Sequence, residues 1–188
     1  MKRPLLIAAA CLAATACGQS DEDNQAATPN AQSAPAPKQA KESIAAGLAG
    51  SADHRTLAQA LKASGLEATL SGKQPYTLFA PTDSAFAKLP SGNASGLMAP
   101  ENKAQLTDLL AGHIVPGLVT AADLAAAIER GKGQAKLATV SGSTLTLTRD
   151  AEGIILAGPG GSRARVAGAE RIQANGAIHP VDSVLLPQ

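Results

Sequence analysis

Apolar positions along the chain fall into two regimes. Up to about residue 131 they recur at helical spacing, and after Gly133 they alternate. Ile44 and Leu48, four apart, predict a short helix that breaks at Gly50-Ser51-Ala52-Asp53. Leu57, Ala60 and Leu61 share one face of a second helix ending near Gly65, and Leu66 to Leu70 reads as another helical turn. Tyr76 to Phe79 is a run of β-favouring residues closed by Pro81, which has no N–H to donate. Thr82 or Asp83 can then cap a helix carrying Phe86. Pro100-Glu101 opens the next helix, striped by Leu106, Leu109 and Leu110, and His113 to Val115 continues as a strand.

Thr120-Ala121-Ala122-Asp123 has capping-box spacing, with Asp in the Glu position. Leu124 and Ile128 give that helix its apolar face, and Gly131 ends it. Beyond it, Leu145 and Leu147 alternate with Thr144, Thr146 and Thr148. Turns at Ser141-Gly142, Asp150 to Gly153 and Gly158 to Ser162 bound a meander of short strands. Helices followed by strands define an α+β domain.

The first 43 residues follow different rules. Met1-Lys2-Arg3 precedes an apolar run, Leu5 to Ala16, too short to span a bilayer, so residues 1–16 read as a signal peptide. Leu12-Ala13-Ala14-Thr15-Ala16-Cys17-Gly18 resembles a bacterial lipobox, with Ala14 where leucine is usual. This makes Cys17 the expected lipidation site; the alternative is ordinary cleavage near Ala16 with a free thiol. Gly18 after the cysteine points to sorting toward the outer membrane. Residues 17–43, rich in Gln, Ala, Pro, Ser, Asp and Asn, bury too little apolar surface to order themselves and read as a tether. A flexible coil of that length spans roughly 25–30 Å. The folded domain is expected over 44–188.

Composition narrows the chemistry. The chain holds 16 basic and 15 acidic residues; without Lys2 and Arg3 the balance is 14 to 15, a net charge of −1 that gives no electrostatic basis for nucleic-acid binding. Both cysteines, Cys11 and Cys17, precede the domain, which excludes a disulfide, a Cys–His dyad and cysteine-based zinc sites within it. No Gly-x-Ser-x-Gly or Ser-x-x-Lys pattern occurs. Gly158-Pro159-Gly160-Gly161-Ser162-Arg163 lacks the Gly-Lys-Ser/Thr ending of a phosphate loop and reads as a hairpin. Arg163 and Arg165 alternate onto one exposed face, an ordinary solvated surface or a contact for an anionic partner. Asn93-Ala94-Ser95 matches a glycosylation acceptor by chance in a bacterial lipoprotein. His54, at a helix start, is expected to be exposed. His113 and His179 with Asp83 or Asp182 nearby would be needed for a metal or acid–base site; the reading preferred here is that they hydrogen-bond backbone in a β core, with no metal, cofactor or catalytic residue.

The single tyrosine and both phenylalanines fall between Tyr76 and Phe86. Tyr76-Thr77-Leu78-Phe79-Ala80-Pro81-Thr82-Asp83-Ser84-Ala85-Phe86 resembles the first signature of the fasciclin (FAS1) domain family. Ile172 to Pro187, containing Asn175, Gly176, His179 and Asp182, resembles the second, and Leu109 to Gly117, with His113, resembles the segment between them. The resemblance covers 44–187. It implies a FAS1 fold: a wedge-like β-sandwich of short strands with helices packed along it. It also implies that Tyr76, Thr77, Phe79, Pro81, Thr82, Asp83, Phe86, His113, Asn175, Gly176, His179 and Asp182 are largely structural, and that the two motif strands meet.

Two departures stand out. Gly112 replaces the family's tyrosine before His113, so the integrin binding linked to that pair in animal relatives is not carried over, and no Arg-Gly-Asp occurs. Pro180 follows His179, which calls for a strand edge or bulge there. The implied function is that of a non-enzymatic adhesion or protein-interaction module, exported, anchored in the membrane by lipid, with a protein or glycan partner at the envelope. The alternative is a carrier of small ligands or lipids in the bacterial envelope.

Overall fold

The computed structural model describes residues 41–89 and 94–186. The expected leader, Cys17, most of the tether, Asn93 and Pro187 lie outside the described residues.

The first part of the domain is helical: α1 (Ile44–Ala49), α2 (Arg55–Ser64) and α3 (Leu66–Leu70). Local chemistry sets their ends. The Ser43 side chain accepts the Ala46 N–H at the start of α1, and Gly65 ends α2 in a left-handed conformation, φ 86°. Then follow β1 (Tyr76–Pro81), α4 (Asp83–Ala87), α5 (Ala94–Leu97), α6 (Lys103–Ala111), β2 (Ile114–Pro116) and α7 (Ala121–Arg130). Thr120 is the residue that caps α7, with both bonds of the capping box formed. The rest is β3 (Gln134–Ala138), β4 (Thr144–Asp150), β5 (Gly153–Ala157), β6 (Arg163–Arg165), β7 (Arg171–Gln173) and β8 (Gly176–Val181). This is an α+β fold.

The strands form two four-stranded sheets, ordered β2-β1-β8-β7 and β3-β4-β5-β6. The second is an antiparallel meander. In the first, β1 and β8 run parallel and in continuous register, from Tyr76 beside Gly176 to Pro81 beside Val181. Strand alternation sends their side chains into two separate cores. Leu78, Ala80 and Ile178 face a helical core with Ile44, Leu48, Leu57, Leu61, Phe86 and Leu110. Phe79 and Val181 face a second core with Leu124 and Ile128 of α7 and Leu145, Leu147 and Leu156 of the meander.

One expectation holds locally and one is corrected. Pro180 lies in β8, an interior strand by its order in the sheet. At Pro180 itself, however, the strand is at a local edge, as expected: β7 ends opposite Ile178, and on that side the Pro180 carbonyl accepts the Ala167 N–H, 2.8 Å. His54, expected to be exposed, is 4% exposed, at the end of the short turn Ala52–His54 and near the Ala80 backbone of β1. The tight turn between β7 and β8 is Ala174-Asn175, with Gly176 already in the strand; Gly176 has φ 151°, and a Cβ there would collide with the Tyr76 carbonyl and Ile44.

Candidate functional site: the paired motif strands

The two motif segments converge along β1 and β8, and their polar groups face inward to backbone. Asn175 is the most heavily used. Its Oδ1 accepts the Ile44 N–H at 2.8 Å, and its Nδ2 donates to the Leu70 carbonyl at 2.6 Å and the Gly72 carbonyl at 2.7 Å. One buried amide thus fixes the start of α1, the end of α3 and the β7–β8 turn. Thr77, also buried, donates to the Gly117 carbonyl and accepts the Val119 N–H, both at 2.8 Å, shaping the loop between β2 and α7.

The start of α4 is shared between two residues. Thr82 is its N-cap, accepting the Ala85 N–H at 3.3 Å. Asp83 reaches across to α2, where its Oδ1 accepts the Thr56 N–H at 2.8 Å. Burial pushes the Asp83 carboxyl up, but the Thr56 and Arg55 donors outweigh it and hold the group below the usual range. Asp182 closes the other end of the pair: its Oδ1 accepts the Arg165 N–H at 2.8 Å, joining β8 to β6. Phe79 and Phe86 are 0% and 4% exposed and fill opposite cores. Tyr76 is half-buried, its hydroxyl donating to Gln74. Pro81 is buried at the end of β1.

The histidines are held neutral. His113 is fully buried; Nδ1 stands 2.8 Å from the Leu109 carbonyl and must donate, while Nε2 accepts the Leu185 N–H at 3.0 Å. Burial drives its pKa down to about 4, against the Leu109 bond. His179 donates from Nε2 to the Val119 carbonyl at 2.9 Å and stacks on Phe79 with centroids 5.5 Å apart. Its Nδ1 is buried without a hydrogen bond. Burial lowers its pKa, opposed by the Val119 bond and by Glu170. His54 pairs through Nδ1 with Ser51, 2.9 Å, and is likewise lowered by burial.

The structure does not bring His113, His179, Asp83 and Asp182 together as ligands: among the described residues no group of three or more His, Cys, Asp or Glu side chains is placed to hold a metal. Instead, each is bonded to a different backbone segment.

Several contributors escaped the sequence reading. Glu170 accepts the Ala121 N–H at 2.7 Å and so supports α7 from outside its own segment. Gln173 is buried against Gly47, where a Cβ would meet its Nε2 at 2.7 Å. The Ser162 hydroxyl accepts the Leu186 N–H at 3.0 Å. None lies at a spacing that signals such a role; each acts across the fold.

Two surface grooves border the strand pair. One, about 410 Å³, is lined by Ile155, Arg163, Ala164, Arg165, Asp182 and Ser183. The other, about 250 Å³, is lined by Ala52, Asp53, Thr82, Asp83 and Ser84. In the first, the Arg165 guanidinium is already engaged by Asp150, 3.1 Å, and Glu152.

An α+β domain whose two motif strands pair in parallel and whose motif side chains bind backbone is a defined class. Residues 52–187 match the Fasciclin domain family, and the chain belongs to it. It is 38% identical over 140 residues to protein sll1483 of Synechocystis, covering 74% of this chain and 70% of that protein. It is 31% identical to transforming growth factor-beta-induced protein ig-h3 of Sus scrofa, covering 70% of this chain but 17% of that protein. With immunogenic protein MPB70 of Mycobacterium bovis it shares 29% identity, over 60% of this chain and half of that protein. Among solved structures, the FAS1 domain pair of the insect cell adhesion molecule Fasciclin I matches with a TM-score of 0.68 at 20% identity, over 78% of this chain and 51% of that one. That likeness establishes the FAS1 fold.

Proposed function

We propose that the protein is a non-enzymatic adhesion or protein-interaction module, exported and tethered to the envelope membrane by lipid on Cys17, facing the periplasm or the cell surface. The family match over 52–187 carries this reading. Fasciclin I is described as a cell adhesion molecule, and its domain shares this fold. The placement of the motif residues favours the same reading. Asn175, Thr77, His113 and His179 spend their polar groups on the domain's own backbone, which leaves recognition to the outer surface. The partner is a protein or glycan of the envelope.

Cell fractionation with mass spectrometry tests the anchor. The wild-type protein is expected in the membrane fraction, with Cys17 carrying acyl chains, and Cys17→Ser is expected soluble and folded. Wild-type protein found wholly soluble, at the mass of an unmodified chain, contradicts the anchor. Soluble Cys17→Ser protein then serves as the probe for adhesion. Saturable binding to intact envelopes is expected, and its absence contradicts the adhesive role.

A further inference from the structure

After β8 the chain runs from Asp182 to Leu186 outside any strand. This segment lies across the seam between the two cores: Val184 belongs to the helical core and Leu185 to the sheet–sheet core, 6% and 3% exposed. Its polar attachments are few. The Asp182 N–H donates to the Arg165 carbonyl, 3.0 Å, and Lys88 Nζ donates to the Asp182 carbonyl, 2.9 Å. The Leu186 N–H donates to Ser162 Oγ, 3.0 Å. Between them, the Leu185 N–H donates to His113 Nε2 at 3.0 Å. Of these acceptors only an imidazole nitrogen becomes a donor when it takes up a proton, and imidazolium has no acceptor left.

Among the described residues, nothing charged stands ready to receive that proton's charge. On α6 the charged side chains are Lys103 and Asp108, both exposed. β1, β2 and residues 139–145 and 158–162 carry none. Arg149 and Asp150 sit at the exposed far end of β4, and Asp182 is bonded to the Arg165 N–H. Burial disfavours protonation of the ring and the Leu109 carbonyl, which already holds Nδ1–H, favours it, while the Leu185 N–H occupies the nitrogen that would take the proton.

We propose that the His113–Leu185 bond is an acid-sensitive latch: a proton on Nε2 sets two donors against each other, and residues 183–186 lift from the seam while β8 stays paired. Lifting uncovers Val184, Leu185 and the apolar bed formed by Leu109 and Leu145, so that an apolar surface appears only in acid.

Amide hydrogen exchange of the folded domain from pH 7.5 to 4.5, corrected for intrinsic rates, tests this. An opened segment with an ordinary histidine predicts about 30-fold less protection at Leu185 at pH 5 than at pH 7.5. Leu185 should be less protected than Ala177 and Ile178 of β8 at every pH. In His113→Gln, whose side-chain oxygen accepts an N–H but does not titrate in this range, the pH dependence at Leu185 should flatten. Equal protection of Leu185 and β8 throughout would mean global unfolding alone and overturn the latch. So would an unchanged dependence in His113→Gln. Should that variant fail to fold, the wild-type His113 ring proton signals decide: the midpoint of Leu185 opening must track the protonation of His113 and not that of His179.

Discussion

The two cores of this domain are built from different kinds of residue placement. In the core shared with the helices, and along the strand pair that divides the cores, polar side chains are buried and bonded to backbone, as at Asn175, Thr77 and His113. In the meander, polar side chains lie on the outer face: Thr144, Arg149 and Arg163 are exposed while Leu145, Leu147 and Leu156 point inward. The meander is a half-solvated antiparallel sheet with one apolar face. The strand pair has no solvated face, so its polar groups depend on partners inside the protein, and among its described side chains only His179 Nδ1 goes without one. A substitution in the pair therefore removes packing and strands a buried donor or acceptor together, whereas one on the meander's outer face does neither.

That contrast can be broken most severely at Phe79. Phe79→Ala removes the largest fully buried side chain and the ring against which His179 stacks, and should cost about 3–5 kcal/mol. Against a typical total of about 5–15 kcal/mol, urea unfolding should show a midpoint shift too large to miss. A midpoint close to wild type would mean that the second core does not depend on the strand pair.

Acid should weaken the same region next. His113 folded has a pKa of about 4 against 6.5 for the ordinary group, so the unfolded chain binds the extra proton between these values. Its contribution is therefore fully present above about pH 6.5 and lost as pH falls toward about 4, some 3 kcal/mol for this group alone. His54 and His179, also lowered, act with the same sign. A melting temperature that stays level from pH 7 to pH 4.5 contradicts a neutral, buried His113.

His179→Ala should cost about 1–3 kcal/mol, since it leaves the part-buried Val119 carbonyl without its donor and removes the ring stacked on Phe79. The smallest effect belongs to the meander. Arg165→Ala, although it removes ion pairs to Asp150 and Glu152, acts on a part-exposed side chain and should cost under about 1 kcal/mol, less in high salt. Equal losses for these two variants would erase the distinction between the regions.

What could be read in advance was local. The Thr120 to Asp123 capping box, the alternation from Thr144 to Thr148 and the stripe Leu106, Leu109, Leu110 each carry their signal within a few residues, and the structure has α7, β4 and α6 there. His54 was misjudged because it is buried near the Ala80 backbone of β1, a relation between segments apart in the chain. Pro180 was legible locally: a proline calls for an edge or bulge, and β7 stops short of it even though β8 is an interior strand. Glu170 and Gln173 carry no local pattern at all; their partners, Ala121 and the helix around Gly47, are visible only once the fold is formed.

The central claim is that the β1–β8 pair, bonded on both edges and buried on both faces, is the part of the domain that opens last. Native-state hydrogen exchange at neutral pH measures this directly. The amides of Leu78, Phe79, Ala177 and Ile178 are expected to exchange slowest, at the rate set by global unfolding, with those of β4 and β5 faster. Slowest exchange in β4 and β5, with β1 and β8 opening first, would contradict the account.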